Sequence, residues 1–265
     1  MFNVVATPIG NLGDMTFRAV ETLKNSDVIL CEDTRHSLPL LAKFDIKAKL
    51  VSYHKFNESE RVDYIISLLN DGKEVSLITD AGTPVISDPG FVIIKALRER
   101  NVPYTAIPGA CALVNAVVLS GIDSENFTFF GFIPDGKKKK DFLKRVEKAE
   151  GTLVFYVSPH AVNESIGDLY KVLGERSGVL IREMTKLHEE KLPITLSEKP
   201  DLSLQGEMVL VLEGKEETAV DFSTLSPMEH LMGYINSGMD KNEAIKKVAK
   251  ERKVPKNEIY KLLNK

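Results

Sequence analysis

The first half of the chain alternates short apolar runs with polar or glycine- and proline-bearing loops and then with helical patterns, and this alternation constrains the fold most. Residues 3–6, 28–31, 75–79 and 104–107 read as strands. Residues 16–25, 58–70 and 89–100 read as helices, the second closed by Gly72 as a C′ residue. Strands that each feed a helix must be covered on both faces, so the pattern predicts a mostly parallel sheet in an α/β fold. Residues 110–120 form a small-residue helix ending at Gly121. Beyond it the rhythm changes. Strands at 127–132, 152–157, 178–184, 192–196 and 208–212, with helices at 141–149 and 160–173 between some of them, predict a mixed sheet. From Ser226 three short helical patterns follow, 227–236, 241–251 and 255–263, split by Ser237-Gly238 and Lys253-Val254. A chain of 265 residues exceeds what one core usually needs. We therefore expect an amino-terminal α/β domain over residues 1–118, a second α/β domain over 119–220 and a helical appendage over 225–265.

Three strand-to-helix junctions carry ligand-like composition. Residues 76–90, Ser-Leu-Ile-Thr-Asp-Ala-Gly-Thr-Pro-Val-Ile-Ser-Asp-Pro-Gly, turn an apolar strand into a loop of small residues with two carboxylates. Gly82 and Gly90 allow close backbone approach, and Asp88 is placed to cap a helix started by Pro89. The run Thr7-Pro8-Ile9-Gly10-Asn11-Leu12-Gly13-Asp14 repeats that character after the first strand, and Ile107-Pro108-Gly109-Ala110-Cys111-Ala112 puts small residues at a helix start. Neither Gly-x-Gly-x-x-Gly nor Gly-x-x-x-x-Gly-Lys-Ser/Thr is present, which argues against a dinucleotide or a nucleoside triphosphate. A small organic cofactor at the strand ends is the expectation.

A formal net charge of −3 is incompatible with a uniformly basic nucleic-acid coat, so any RNA contact must be local. Cys31 and Cys111 lack metal-ligand spacing, which favours a reducing compartment and no metal. Residues 2–6 are too short for a signal sequence and no apolar run approaches a membrane span, so a cytoplasmic location is expected.

Taken in order, Ala6-Thr7-Pro8-Ile9-Gly10-Asn11-Leu12, Cys31-Glu32-Asp33-Thr34-Arg35, Ser52-Tyr53-His54, residues 80–90, residues 107–112, Phe155-Tyr156, Ser158-Pro159-His160 and Arg182-Glu183-Met184-Thr185-Lys186 span nearly the whole chain. In these motifs the chain resembles the ribosomal RNA small subunit methyltransferase I group of the tetrapyrrole-methylase superfamily. Two departures stand out: Cys111 where the group commonly has Ser, and Val157 and Ala161 where it commonly has Glu and Arg. The resemblance implies two α/β domains with S-adenosyl-L-methionine held in a cleft between them. It implies methyl transfer to a cytidine ribose 2′-hydroxyl in 16S ribosomal RNA of the small subunit, and a homodimer. Carried over by position, the cofactor contacts would be Pro8, Ile9, Gly82, Thr83, Ile86, Cys111, Ala112, Tyr156, Gly206, Glu207 and Met208.

Ribose hydroxyl is a poor nucleophile, so orientation and a proton acceptor matter. Polar candidates are Glu32, Asp33 and Arg35, His160, and Arg182, Glu183, Lys186, His188 and Glu189; Glu183 and Lys186 are the favoured catalytic pair. Lys137 to Lys140, after the turn Pro134-Asp135-Gly136, reads as an exposed basic loop that could meet RNA backbone. The last two helices of the appendage resemble a helix-turn-helix in length and spacing and carry Lys241, Lys246, Lys247, Lys250, Arg252, Lys253, Lys256 and Lys261. Two other classes of function compete: a methyltransferase acting on a tetrapyrrole or other small molecule, and a non-catalytic RNA-binding assembly factor.

Overall fold

A computed structural model describes residues 1–198, 205–214, 225–236 and 238–262. They fall in two compact units, residues 1–214 and residues 215–265. Residues 199–204 and 215–220, expected in the second domain, and Ser237 and residues 263–265, expected in the helical appendage, lie outside the described residues.

The larger unit is built on two five-stranded sheets. In the first, β1 (Phe2–Val5), β2 (Val28–Cys31), β3 (Lys49–Ser52), β4 (Val75–Leu77) and β5 (Tyr104–Ile107) run parallel in the order β3-β2-β4-β1-β5. Phe2 sits opposite Val75 on one side and Tyr104 on the other. The helices between them are α1 (Phe17–Lys24), α2 (Thr34–Lys43), α3 (Glu58–Asn70) and α4 (Phe91–Glu99). Alternate strand residues serve opposite faces. Phe2, Val4, Val28, Leu30, Val75 and Leu77 pack with Ile65 of α3 and Ile93 and Leu97 of α4, while Val5, Ile29, Cys31 and Ile107 pack with Ala19 and Leu23 of α1 and Leu41 of α2. Burial on both faces explains why the second strand is a continuous apolar run and why the first and fourth carry only one polar residue each, Asn3 and Ser76.

α5 (Ala112–Ser120) leaves the first sheet and lays Ala116 and Val117 on Val154, Ile181, Val209 and Val211 of the second. Gly121, at φ 67°, ends it in the left-handed conformation. The second sheet has β6 (Phe127–Phe132), β7 (Thr152–Val157), β8 (Ser177–Arg182), β9 (Glu190–Thr195) and β10 (Met208–Leu212) in the order β6-β7-β10-β8-β9. Only the β6–β7 pairing is parallel. α6 (Lys137–Glu147) and α7 (Val162–Leu173) cover its other face through Phe142, Val146, Ile166 and Leu169.

The structure corrects three local expectations. The segment between β2 and α3 contains a helix and a strand, α2 and β3, where no elements were expected. β3 was inconspicuous because an edge strand with only Val51 buried has no apolar run. Lys137–Lys140 is the first turn of α6 rather than a loop, and Lys139 is committed: its Nζ lies 2.6 Å from Glu164 and 2.8 Å from Asp168. Asp88 does not cap α4, whose N-cap is Gly90 at φ 133°; a Cβ there would stand 2.8 Å from Leu77 and Val85 side chains.

The smaller unit has α8 (Pro227–Asn236), α9 (Lys241–Glu251) and α10 (Lys256–Leu262). Ser226 and Glu229 exchange reciprocal hydrogen bonds at the start of α8, a capping box. Asp240 caps α9, accepting from the amides of Asn242 and Glu243. Leu231, Ala244, Ile245, Val248, Ala249 and Ile259 form its core. No helix among the described residues is long and apolar enough to cross a membrane.

Phe155 is fully buried and stacks on Phe130 at 5.2 Å. Phe155→Ala removes that contact without room for collapse between sheet and helices, and is expected to lower unfolding stability by about 3–5 kcal/mol in urea denaturation.

Candidate functional site

Strand order explains why distant motifs meet. β4, β1 and β5 are neighbours and β2 flanks β4, so the loops that follow all four emerge side by side at the carboxyl edge of the sheet. They are fastened to one another. Thr7 and Gly82 exchange backbone hydrogen bonds, the Thr7 amide to the Gly82 carbonyl at 2.9 Å and the reverse at 3.1 Å. The Thr7 hydroxyl donates to the Thr79 carbonyl at 3.1 Å, and the Thr83 hydroxyl donates to the Ala110 carbonyl at 3.0 Å, joining the third loop. Gly82 adopts φ +87°, and a Cβ there would meet Ile9 at 3.2 Å. Val85 and Ser87 hold positive φ, 77° and 69°, without being glycine. Each such residue costs about 1–3 kcal/mol, strain that surrounding contacts must offset and that gathers at ligand sites.

Between this edge and the second sheet lies a cavity of about 430 Å³. Of the expected cofactor residues, Ile9, Gly82, Thr83, Ile86, Cys111, Ala112, Tyr156, Glu207 and Met208 line it. Pro8 lines a neighbouring cavity instead. Gly206 stands behind Glu207, where at φ +92° a Cβ would fall on the Glu183 carboxylate. Phe132, Ile181 and Val209 also line the cavity and were not anticipated. Their strands were readable, but which face they present follows from pairings such as Val209 opposite both Tyr156 and Ile181, set by sheet order. Tyr156 is held edge-on by Phe129 at 4.8 Å and Phe132 at 5.5 Å, and burial pushes its hydroxyl up to about 12.

Carboxylates line the cavity from both sheets, three after strands of the first and Glu207 just before β10 of the second. Glu32, after β2, accepts the Thr79 hydroxyl at 2.8 Å, and Asp80, Asp88 and Glu207 line the same cavity. Burial, with the Glu32 charge second, pushes Asp88 up to about 6.

Glu183 and Lys186 come together, with Lys186 Nζ 2.9 Å from Glu183 and 3.3 Å from Glu207, but neither lines the cavity. The Lys186 hydrogen bond, chiefly, holds the Glu183 carboxyl below its ordinary range, and the Glu183 oxygen also accepts the Glu207 amide at 3.1 Å. A carboxylate so engaged is a weak proton acceptor. Its geometry instead fixes Glu207, which does face the cavity. The Lys186 stem lies against Gly10, where a Cβ would meet Lys186 Cγ at 2.6 Å, tying this cluster to the loop after β1. Arg35 is bound to its own neighbour Asp33 at 2.8 Å and is exposed. That hydrogen bond is the main reason the Asp33 carboxyl falls to about 2.

Residues 1–200 match the family described as tetrapyrrole (corrin/porphyrin) methylases. The chain is 42% identical over 266 residues to the ribosomal RNA small subunit methyltransferase I of Halalkalibacterium halodurans, covering 97% of this chain and 92% of that one. It is 41% identical to the protein of the same name from Bacillus subtilis, at 97% and 91% coverage. Among solved structures, the methyltransferase CobJ superposes with a TM-score of 0.64 at 16% identity, covering 81% of this chain and 94% of that one. Uroporphyrin-III C-methyltransferase from Thermus thermophilus, complexed with S-adenyl homocysteine, gives 0.58 at 18% identity, with 80% and 96% covered.

The cavity's chemistry fits S-adenosylmethionine. Ile9, Ile86, Ala112, Ile181 and Met208 offer an apolar slot for an adenine ring, and residues 82–83 and 111–112 of the first-sheet loops line it as well. The carboxylates suit a ligand with a cationic sulfonium and an ammonium group.

Two measurements probe these carboxylates and the turn at Gly82. Gly82→Val crowds Ile9 and forces a side chain into the left-handed region; calorimetry on the folded variant is expected to show at least tenfold weaker binding of S-adenosylhomocysteine. For Asp88, the folded protein binds the proton more tightly than the unfolded chain, so its contribution to stability is present at low pH and is lost as pH rises through about 6. Asp88→Asn should therefore raise the melting temperature at pH 7.5 and leave it little changed at pH 4; an equal shift at both pH values contradicts the assignment.

Proposed function

This chain belongs to the tetrapyrrole (corrin/porphyrin) methylase family, among its ribosomal RNA small subunit methyltransferase I members, and from that premise we propose that it methylates the ribose 2′-hydroxyl of a cytidine in 16S ribosomal RNA. The observation that carries the reading is coverage. The rRNA methyltransferases of Halalkalibacterium halodurans and Bacillus subtilis each match 97% of this chain, well past the residue 200 at which the family match ends, whereas that of Thermotoga maritima matches 80%. The part beyond includes the lysine-bearing helices α9 and α10.

S-adenosylmethionine supplies an electrophilic methyl group on a cationic sulfur. The turn at Gly82-Thr83, the turn at residues 109–112 and the Tyr156 ring hold the cofactor, and the side chains of Glu32, Asp80, Asp88 and Glu207 supply negative charge. The Thr7–Gly82 and Thr83–Ala110 hydrogen bonds hold these groups in place against the strain at Val85 and Ser87, so little reorganisation accompanies binding. Glu183 and Lys186 act as positioning residues that hold Glu207 and the loop at Gly10. Arg35 and the free lysines of α6's first turn meet phosphate, and the lysines of the appendage dock the RNA. The working form is a homodimer in the cytoplasm acting on the small subunit, with the cofactor cleft between domains 1–118 and 119–220.

Methyl transfer from labelled cofactor is measured into small ribosomal subunits, free 16S RNA and a tetrapyrrole mixture. Label in ribosomal RNA, released as a 2′-O-methylcytidine, is the expected result; label in the ring fraction alone reverses the reading, and label in neither makes the chain a binding factor. In the same assay Glu183→Gln and Lys186→Ala should reduce turnover at saturating RNA by at least tenfold and weaken S-adenosylhomocysteine binding by at least threefold, because both act through Glu207 at the cofactor cavity. Full turnover in either variant removes that residue from the mechanism.

A further inference from the structure

A second cavity, of about 260 Å³, opens at the carboxyl ends of β1, β2 and β4 and shares a wall, Thr79 and Asp80, with the cofactor cavity. Its remaining wall comes from Pro8, Gly10 and Leu12 after β1 and from His36, Ser37, Pro39 and Leu40 of α2. His36, Pro39 and Leu40 are spaced i, i+3, i+4 and so share one face of the helix. Asp33 sets the start of that helix by accepting the Arg35 amide at 2.8 Å, and the Ser37 hydroxyl donates back to the Asp33 carbonyl at 3.2 Å.

Size, surface and polarity limit the occupant. Ligand pockets usually run from about 300 to 1,000 Å³, so this one suits a single small ring with its sugar and is too small for a macrocycle. Pro8, Leu12, Pro39 and Leu40 give it apolar surfaces on which a flat base can pack. Of its four polar side chains, Ser37 and Thr79 are committed, to the Asp33 carbonyl and to Glu32, and two are not. Asp80 is exposed and, unlike Glu32 beside it, makes no hydrogen bond or ion pair among the described residues, and the His36 ring likewise makes none. A free carboxylate asks for a hydroxyl or amine donor and repels phosphate. Arg35, next to His36 in the chain, is held only by an exposed pair with Asp33, which solvent and a phosphate can readily exchange.

We infer that this second cavity is the acceptor pocket: it takes one nucleoside of an RNA strand, with the base on Pro39 and Leu40 and the ribose hydroxyls donating to Asp80 at the wall shared with the cofactor cavity. The inference rests on the methyltransferase reading and deepens it by assigning the acceptor a place. Because Asp80 accepts from a ribose hydroxyl, the pocket distinguishes ribose from deoxyribose.

The test uses the full-length chain saturated with S-adenosylhomocysteine, which permits no transfer, and follows the His36 imidazole resonances by NMR as cytidine is added. The expected result is a saturable shift of His36 with cytidine and at least fivefold weaker binding of 2′-deoxycytidine. Leu40→Trp fills the cavity and should abolish cytidine binding while leaving S-adenosylhomocysteine affinity within twofold. His36→Ala, at an exposed position that does not threaten folding, should weaken cytidine at least threefold by calorimetry. An unmoved His36, or equal affinity for the two nucleosides, overturns the pocket. If that happens while labelled methyl still enters 16S RNA, only the pocket assignment falls; if no methyl enters RNA, the reading beneath it falls as well.

Discussion

The paired backbone hydrogen bonds between Thr7 and Gly82 are what the site depends on. β1 and β4 are parallel, yet this bridge is antiparallel, so the chain after β4 must turn back on itself within a few residues. Gly82 makes the reversal possible through its left-handed φ. Everything downstream hangs from that anchor: Thr83 bonded to Ala110, strained Val85 and Ser87, and the Asp88 carboxyl turned into the cavity rather than onto the helix behind it. The junctions after β1, β4 and β5 behave as one rigid rim because adjacent strands deliver them and three sets of hydrogen bonds fasten them.

Charge is divided by task. The net charge of −3 gives no overall attraction to RNA. Carboxylates are concentrated where a cationic cofactor fits, and the crowding there shows in Asp88, raised to about 6 by burial and by Glu32. Basic groups lie elsewhere, on α2, α6 and the appendage helices, and some are already spent. Lys139 is bound to Glu164 and Asp168, and Lys186 to Glu183 and Glu207. Counting lysines in a sequence therefore overstates the charge on offer to a phosphate backbone, because ion pairs formed by folding consume part of it.

Much of the fold was legible because strands buried on both faces must be apolar throughout. β2, β7 and β10 were bounded correctly on that ground, β5 and β6 from the loops that flank them, and α3, α8 and α9 from their periodicity and ends. β3 and α2 escaped because an exposed edge strand and a helix carrying Pro39 lack those signals. At the site, loop composition marked the junctions around Gly10, Gly82 and Gly109. It could not say that Pro8 turns into the second cavity while Ile9 faces the first, or that Glu183 and Lys186 stand beside the cavity rather than in it. Those facts depend on strand order and on side-chain direction past the strand ends, which no local pattern encodes.

The most direct test of the account is a nucleotide-resolution map of ribose methylation across ribosomal RNA from cells with and without this protein. The account predicts that one cytidine of 16S RNA loses its 2′-O-methyl group in the cells that lack the protein and regains it when purified enzyme and S-adenosylmethionine are supplied to their small subunits. Identical maps from the two kinds of cell would contradict it.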